Sequence, residues 1–202
     1  MALAGTAAAP ADMSNTPPAG SQTAPAAVQA ATAPAQSTPA AAPGAPAPSK
    51  RAACLASGDG YLHAHLAGAI DATVDWPNSG TRCEGESRDK PPGVRLSFQR
   101  LQGKTDLLFV FGITGVSEGK PAREAGVNLT IIVQGTNHLF GTLGDSRCTV
   151  DSLTQRQIGP AGSYRVEARG FCTQPAHAVR GDGAVLVSTF EFAGPVTYEH
   201  QT

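Results

Sequence analysis

The chain has 202 residues, a formal net charge of −1 and 41% hydrophobic residues, which suits one globular domain with an additional segment. Its basic residues are scattered singly, so the sequence offers no electrostatic surface for nucleic acid or for an anionic membrane. The longest apolar run of the domain, 107–113, is far too short to cross a bilayer, and we expect no transmembrane segment.

Residues 1–50 consist almost entirely of Ala, Pro, Ser, Thr, Gln and Gly, and their only charged side chains are Asp12 and Lys50. Such a segment cannot bury enough apolar surface to offset the entropy of ordering it. We therefore predict a disordered Ala/Pro-rich linker at 1–50 and a single domain at 51–202. The frequent prolines favour extended polyproline II, so the linker should act as a semi-rigid spacer.

The first nine residues, MALAGTAAA, resemble the small-residue end of a signal peptide, although they lack a basic start. We expect the true start to lie upstream of Met1 and the protein to be exported. The alternative is that Met1 is genuine and the segment is merely rich in alanine.

Apolar and polar side chains alternate with period two from Tyr61 to Trp76. This pattern predicts either one long strand bent at Gly68 or two strands folded back there by a three-residue loop. In both cases the even-numbered positions face the core.

Seven further strands are predicted between Gly- and Pro-rich turns. They cover 94–98, 107–113, 129–133, 139–143, 148–155, 164–172 and 185–192. The run 107–113 is apolar on both faces, which is typical of a central strand. About nine short, regularly spaced strands without a convincing amphipathic helix indicate an all-β fold, an antiparallel β-sandwich or barrel.

The four cysteines form no CxxC pair and none lies beside a histidine at zinc-finger spacing. An even count in a β-rich domain is typical of two disulfides, which require an oxidising compartment and so favour export. We predict Cys148–Cys172 and, by elimination, Cys54–Cys83, while two other connectivities remain open.

A Cys148–Cys172 bridge also sets a register, because facing residues of an antiparallel pair have numbers with a constant sum. The turn then centres on Pro160, and Asp151 faces Arg169 as a cross-strand ion pair. One face of this pair is predicted to carry Val150, Ser152, Thr154, Val166, Ala168 and Gly170.

His63 and His65 lie two residues apart on a predicted strand, so both imidazoles point to the same polar face. This pattern can supply two ligands to zinc or copper, and in the folded-back arrangement Asp71 faces His65 as a candidate third ligand. Such pairs also occur on solvated sheet faces without a function. We favour the solvated pair with weak metal binding, and we predict no cofactor.

Four segments of the chain resemble small exported bacterial β-proteins of unknown function. The segments are 70–76, 148–151, 169–172 and 189–194, and the resemblance covers most of 54–197. It implies export and the β-fold, and it assigns no functional residue.

The sequence indicates neither a nucleophile beside a base nor a pair of converging carboxylates, which favours a non-enzymatic protein over a hydrolase. We therefore predict a periplasmic, envelope or secreted module that is structural or binds an unknown envelope protein or small ligand. The alternatives are a carrier of a lipid or small molecule inside an apolar barrel, and a metal-binding protein using His63 and His65.

Overall fold

The computed structural model describes residues 53–199, so the linker predicted at 1–50 lies outside the described residues. Within that range the chain forms eleven strands and no helix. The strands are β1 Tyr61–Gly68, β2 Ala72–Pro77, β3 Arg82–Asp89, β4 Pro92–Gln102, β5 Thr105–Thr114, β6 Ala125–Val133, β7 Leu139–Gly141, β8 Cys148–Gln157, β9 Ser163–Cys172, β10 Ala176–Ala178 and β11 Ala184–Thr197. The predicted all-β antiparallel fold is confirmed.

Backbone hydrogen bonds join seven of these strands into a closed ring in the order β3, β4, β5, β6, β8, β9, β11. The pairs are antiparallel except at the closing contact, where Thr197 of β11 pairs in parallel with Glu86 of β3. The β1–β2 hairpin adds to β11, and β7 with β10 bridges β6 and β11. The long strand β11 therefore holds the ring together.

The segment 61–76 forms two strands folded back on each other, with residues 69–71 between them. Its even-numbered residues Leu62, Leu66, Val74 and Trp76 are at most 1% exposed, as the alternation predicted. The register pairs His65 with Thr73, so the predicted facing of His65 and Asp71 is wrong. The hairpin is centred on Ala69 instead of Gly68, which shifts the register by two residues and leaves Asp71 in the loop.

Both predicted disulfides are present, Cys54–Cys83 and Cys148–Cys172. Cys148 and Cys172 face each other on β8 and β9, and the predicted turn is confirmed by a hydrogen bond from Ser163 N to Pro160 O of 3.0 Å. Two disulfides are typical of a protein that resides in an oxidising compartment outside the cytoplasm.

The β8–β9 register changes at Asp151, which is the extra residue of a β-bulge. Arg169 consequently faces Ser152, and the predicted Asp151–Arg169 pairing is wrong. The bulge also turns Leu153 into the core, where it is 1% exposed, instead of the predicted Ser152 and Thr154. The burial of Leu153 explains why the register is interrupted, since the bulge removes this large apolar side chain from water.

Two strands, β3 and β10, were not predicted from the sequence. β3 reads as polar because its inward positions carry small residues, Cys83, Gly85 and Ser87, instead of large apolar ones. At Gly85 a side chain would collide with the carbonyl of Pro195 on β11, so the small residues permit the close approach that closes the ring.

Aromatic side chains fill the interior of the ring. Each of them is at most 2% exposed, and the ring centroids of neighbours lie 4.9 to 6.3 Å apart. They are Trp76, Phe98, Phe109, Phe111, Phe190 and Phe192. The space inside the barrel is thus occupied by its own side chains.

Candidate functional site

His63 and His65 lie on the outer face of β1, where both are exposed. His63 Nε2 is 3.1 Å from Asp75 Oδ1 on the neighbouring strand β2. His65 Nδ1 is 3.3 Å from Thr73 Oγ1 on the same strand. Each imidazole therefore has its own partner, and the carboxylate beside the pair is Asp75 instead of Asp71.

The row of residues through His63 continues across the sheet. His63 faces Glu191 of β11, which in turn faces Arg169 of β9, so that Asp75, His63, Glu191 and Arg169 form one row across four strands. A shallow concavity of about 380 Å³ opens over this row. Residues 53–199 contain no group of three His, Cys, Asp or Glu side chains arranged to hold a metal ion.

Beside this row, five polar side chains contact one another in a network that we call the Arg165 network. Its members are Asp59, Tyr61, Arg165, Glu167 and Glu191, of which Glu191 also belongs to the first row. Arg165 Nη1 lies 2.6 Å from Glu167 Oε2, and Arg165 Nε lies 2.8 Å from Asp59 Oδ2. The Tyr61 hydroxyl is 3.1 Å from Glu191 Oε1 and 3.3 Å from Glu167 Oε1.

Burial raises the pKa of Tyr61 above its usual value, and the two glutamates raise it further because they favour the neutral hydroxyl. The pKa of Asp59 is lowered, first by a hydrogen bond from Ser57 and then by the positive charges of Arg165 and Arg156. Within the network the cation of Arg165 is thus compensated by carboxylates on both sides.

A concavity of about 480 Å³ lies on the outer face of β3, β4 and β5. We call it the arginine groove. Its lining residues are Arg82, Glu84, Gly85, Glu86, Arg95, Ser97, Gln99, Leu108 and Val110. The half-buried Leu108 and Val110 form an aliphatic floor, while β3 and β4 supply charged and polar walls.

The wall charges of the groove are only loosely paired. Arg95 Nη1 is 3.6 Å from Glu86 Oε1, with the two side chains 52% and 63% exposed. Arg82 donates to Gln99 Oε1 at 3.3 Å, and Gln99 donates to Asp106 Oδ2 at 2.9 Å. Exposed pairs of this kind contribute little to stability and leave their charges accessible to a ligand.

The arginine groove was missed from the sequence because it depends on β3. A signal was nevertheless present, since charged residues occupy every second position from Arg82 to Arg88. Such a period of two is typical of the exposed face of a strand, whatever the size of the inward residues.

No protein-family model matches the chain, and neither a curated protein nor a solved structure matches it significantly. In the described part of the chain, no helix is long and apolar enough to cross a membrane.

Proposed function

We propose that the domain is a non-enzymatic binding module, exported to the periplasm or secreted, that binds a partner protein through the arginine groove. The observation that carries this proposal is the groove itself, which combines an aliphatic floor at Leu108 and Val110 with loosely paired charges around it. Partly apolar concavities with a few polar groups are typical of binding sites.

The packed interior supports a site on the exterior. Six aromatic side chains fill the barrel, so a lipid or small molecule carried inside would have to displace rings that are at most 2% exposed. A partner in the groove displaces only water. This comparison favours the binding module over the alternative of an interior carrier.

The two disulfides and the resemblance to exported bacterial β-proteins support the proposed location. In this proposal MALAGTAAA is the end of a signal peptide. Residues 1–50 then serve as a spacer that lets the groove reach a partner away from the cell surface.

Photocrosslinking tests the proposal. Benzoylphenylalanine replaces Ser97, which lines the groove, and in a matched control replaces Thr154, an exposed hydroxyl residue on β8. The full chain is expressed and irradiated in its own host. We expect a discrete adduct with a protein at position 97 and none at position 154. Equal labelling at both positions, or no adduct at position 97, would contradict the proposal.

A second candidate function is metal binding at His63 and His65. The observation that favours it is the placement of both imidazoles on one exposed face, with the carboxylate of Asp75 3.1 Å from His63. We expect the pair to bind zinc only with millimolar affinity, because zinc sites in proteins normally have three or more protein ligands. Calorimetry decides the matter, since submicromolar binding that is lost in His63→Ala would establish a metal site.

A further inference from the structure

Arg88 lies on the outer face of β3, just beyond the end of the arginine groove, and faces Gly93 of β4. Its guanidinium extends past this glycine to β5. There Arg88 Nη1 is 3.2 Å from the point that a Cβ atom of Gly112 would occupy. Gly112 is buried although it lies on the outer face, as expected for a residue covered by Arg88. Gly112, which has no side chain, therefore leaves room for the guanidinium, and we call this arrangement the Arg88 cradle.

The Arg88 side chain has no ion pair or hydrogen bond within residues 53–199, and its Nε atom is buried without an acceptor. Removing a guanidinium nitrogen from water without an acceptor is unfavourable. Packing therefore holds this cation in place, and no carboxylate contacts it among residues 53–199.

Two further residues with nitrogen donors pair with Gly112 on the neighbouring strands. Arg95 faces Gly112 from β4, and its distance of 3.6 Å from Glu86 is long for an ion pair. Asn128 faces Gly112 from β6, and its Oδ1 accepts a hydrogen bond of 3.4 Å from Thr142, which leaves its amide group available as a donor. Arg88 thus covers Gly112, and the residues that pair with this glycine on the two neighbouring strands both carry nitrogen donors.

The charges around Gly112 indicate the class of ligand. Arg88 and Arg95 are two guanidinium groups, of which only Arg95 has a loose contact with a carboxylate, Glu86, while the carboxylate of Asp145 is already hydrogen-bonded to Thr114 Oγ1 at 3.0 Å. Guanidinium groups bind carboxylates through paired, parallel hydrogen bonds. We propose that Arg88 and Arg95 form a carboxylate-binding subsite over Gly112.

This subsite rests on the proposed function, because it would supply the groove with an anchor for an acidic group. The carboxylate could belong to a side chain of a bound polypeptide or to a free small acid. An extended peptide would place the acidic group over Gly112 and apolar residues over Val110 and Leu108, which follow at intervals of two residues on β5.

The test is an NMR titration of the full chain, ¹⁵N-labelled, with acetate at constant ionic strength. The Nε–H group of Arg88 is shielded from water, so its signal is suited to detection. We expect the Nε signals of Arg88 and Arg95 to shift together and saturate with a millimolar dissociation constant. The Nε signal of Arg82 on the same strand serves as the internal control and should not shift.

Variants locate the subsite. Arg88→Lys keeps the charge but loses the planar fork, so acetate should bind about tenfold more weakly. Gly112→Ala should also weaken acetate binding, because the new methyl group displaces the guanidinium. Arg82→Met is the matched control and should leave acetate binding unchanged. A shift that does not saturate, an equal shift of Arg82, or tighter binding of phosphate than of acetate would overturn the subsite.

Two blocked peptides distinguish the sources of the carboxylate. One carries a glutamate two residues before a valine, and the other carries glutamine in place of glutamate. A glutamate peptide that binds at least about tenfold more tightly than acetate assigns the site to a polypeptide, and equal affinity assigns it to a small acid. A crosslink at position 97 without an acetate response would overturn the subsite alone, whereas an acetate response without a crosslink would contradict the partner protein alone.

Discussion

Arg165 and Arg88 present the same side chain in two different electrostatic settings. Both extend over the outer face of the barrel, and in both the Nε atom is buried without an aligned hydrogen bond. Arg165 lies between Asp59 and Glu167 at 2.8 and 2.6 Å, whereas Arg88 lies over Gly112 with no carboxylate in contact among residues 53–199. One cation is neutralised within the domain, and the other is left for a ligand.

The difference shows that burial alone does not identify a functional arginine. Arg165 is only 12% exposed, and its charge is paired with Glu167 on its own strand and with Asp59 in the loop before β1. Arg88 is held by the shape of the backbone, because the glycine at position 112 leaves room for the guanidinium. A charge held by packing stays available for binding, while a charge held by counter-charges serves the fold.

The largest expected effect comes from adding one methyl group at a glycine of β9, the strand of Arg165, and comparing it with one added at Gly112 beneath Arg88. In Gly170→Ala the new Cβ would collide with the carbonyl of Thr149 and lie 2.6 Å from Phe190 Cζ, so we expect a loss of about 3 kcal/mol in the free energy of unfolding. In Gly112→Ala the nearest atom is the movable end of Arg88, so the loss should stay below about 1 kcal/mol. Urea unfolding measures both, and equal losses would contradict the reasoning.

The next effect is smaller and concerns the Arg165 network. Arg165→Met leaves Asp59 and Glu167 without their shared cation, and we expect the free energy of unfolding to fall by about 1–2 kcal/mol. The two carboxylates are each 44% exposed, so water limits the loss. Arg156→Met, which removes an exposed arginine 3.4 Å from Asp59, is the control and should change stability by less than about 0.5 kcal/mol. The prediction fails if both variants behave alike.

The pH dependence of stability at alkaline pH tests the contribution of Tyr61 to the Arg165 network. The pKa of Tyr61 is raised in the folded state, so above pH 10 the unfolded chain loses this proton first. The stabilisation is present below pH 10 and is lost as the pH rises toward the folded pKa. In urea unfolding between about pH 9 and about pH 11, Tyr61→Phe should lose less stability than the wild type, by at most about 1 kcal/mol. If the two proteins lose the same stability over this range, Tyr61 makes no contribution. Tyr198, whose pKa burial raises to about 12, is present in both proteins and so does not affect the comparison.

The smallest effect is expected at Arg88. Arg88→Met removes an uncompensated cation and keeps the aliphatic packing over Gly112, so the free energy of unfolding should change by less than about 0.5 kcal/mol or rise slightly. The melting temperature and the urea midpoint report it. A loss above about 1 kcal/mol would mean that the cation serves the fold after all, as Arg165 does.

Much of the fold could be predicted because apolar side chains alternate wherever a strand has one buried face. The segment 61–76 is the clearest case, and the cysteines added the pairing of β8 with β9. β3 was not predicted because its inward residues are small. The bulge at Asp151 was not predicted because it depends on the burial of Leu153. Close approaches and bulges arise from three-dimensional packing and leave little trace in a local pattern.

The candidate sites could be predicted less well. The shared face of His63 and His65 follows from the geometry of a strand, but their partners on β2 depend on where the hairpin ends. The arginine groove and the Arg88 cradle require three strands in register, with a glycine at the position on β5 that Arg88 reaches. Local spacing defines a single strand, whereas a site across strands is defined by register.

The central position of β11 also sets the order in which the domain can be assembled. This strand pairs with β1, β3, β9 and β10, and it is the last of the eleven to leave the ribosome or an export channel. Without Ala184–Thr197 the earlier strands have neither their common neighbour nor the rings of Phe190 and Phe192. Folding is therefore expected to begin only when nearly the whole domain has emerged, and a chain interrupted before position 184 should remain unfolded and sensitive to proteases.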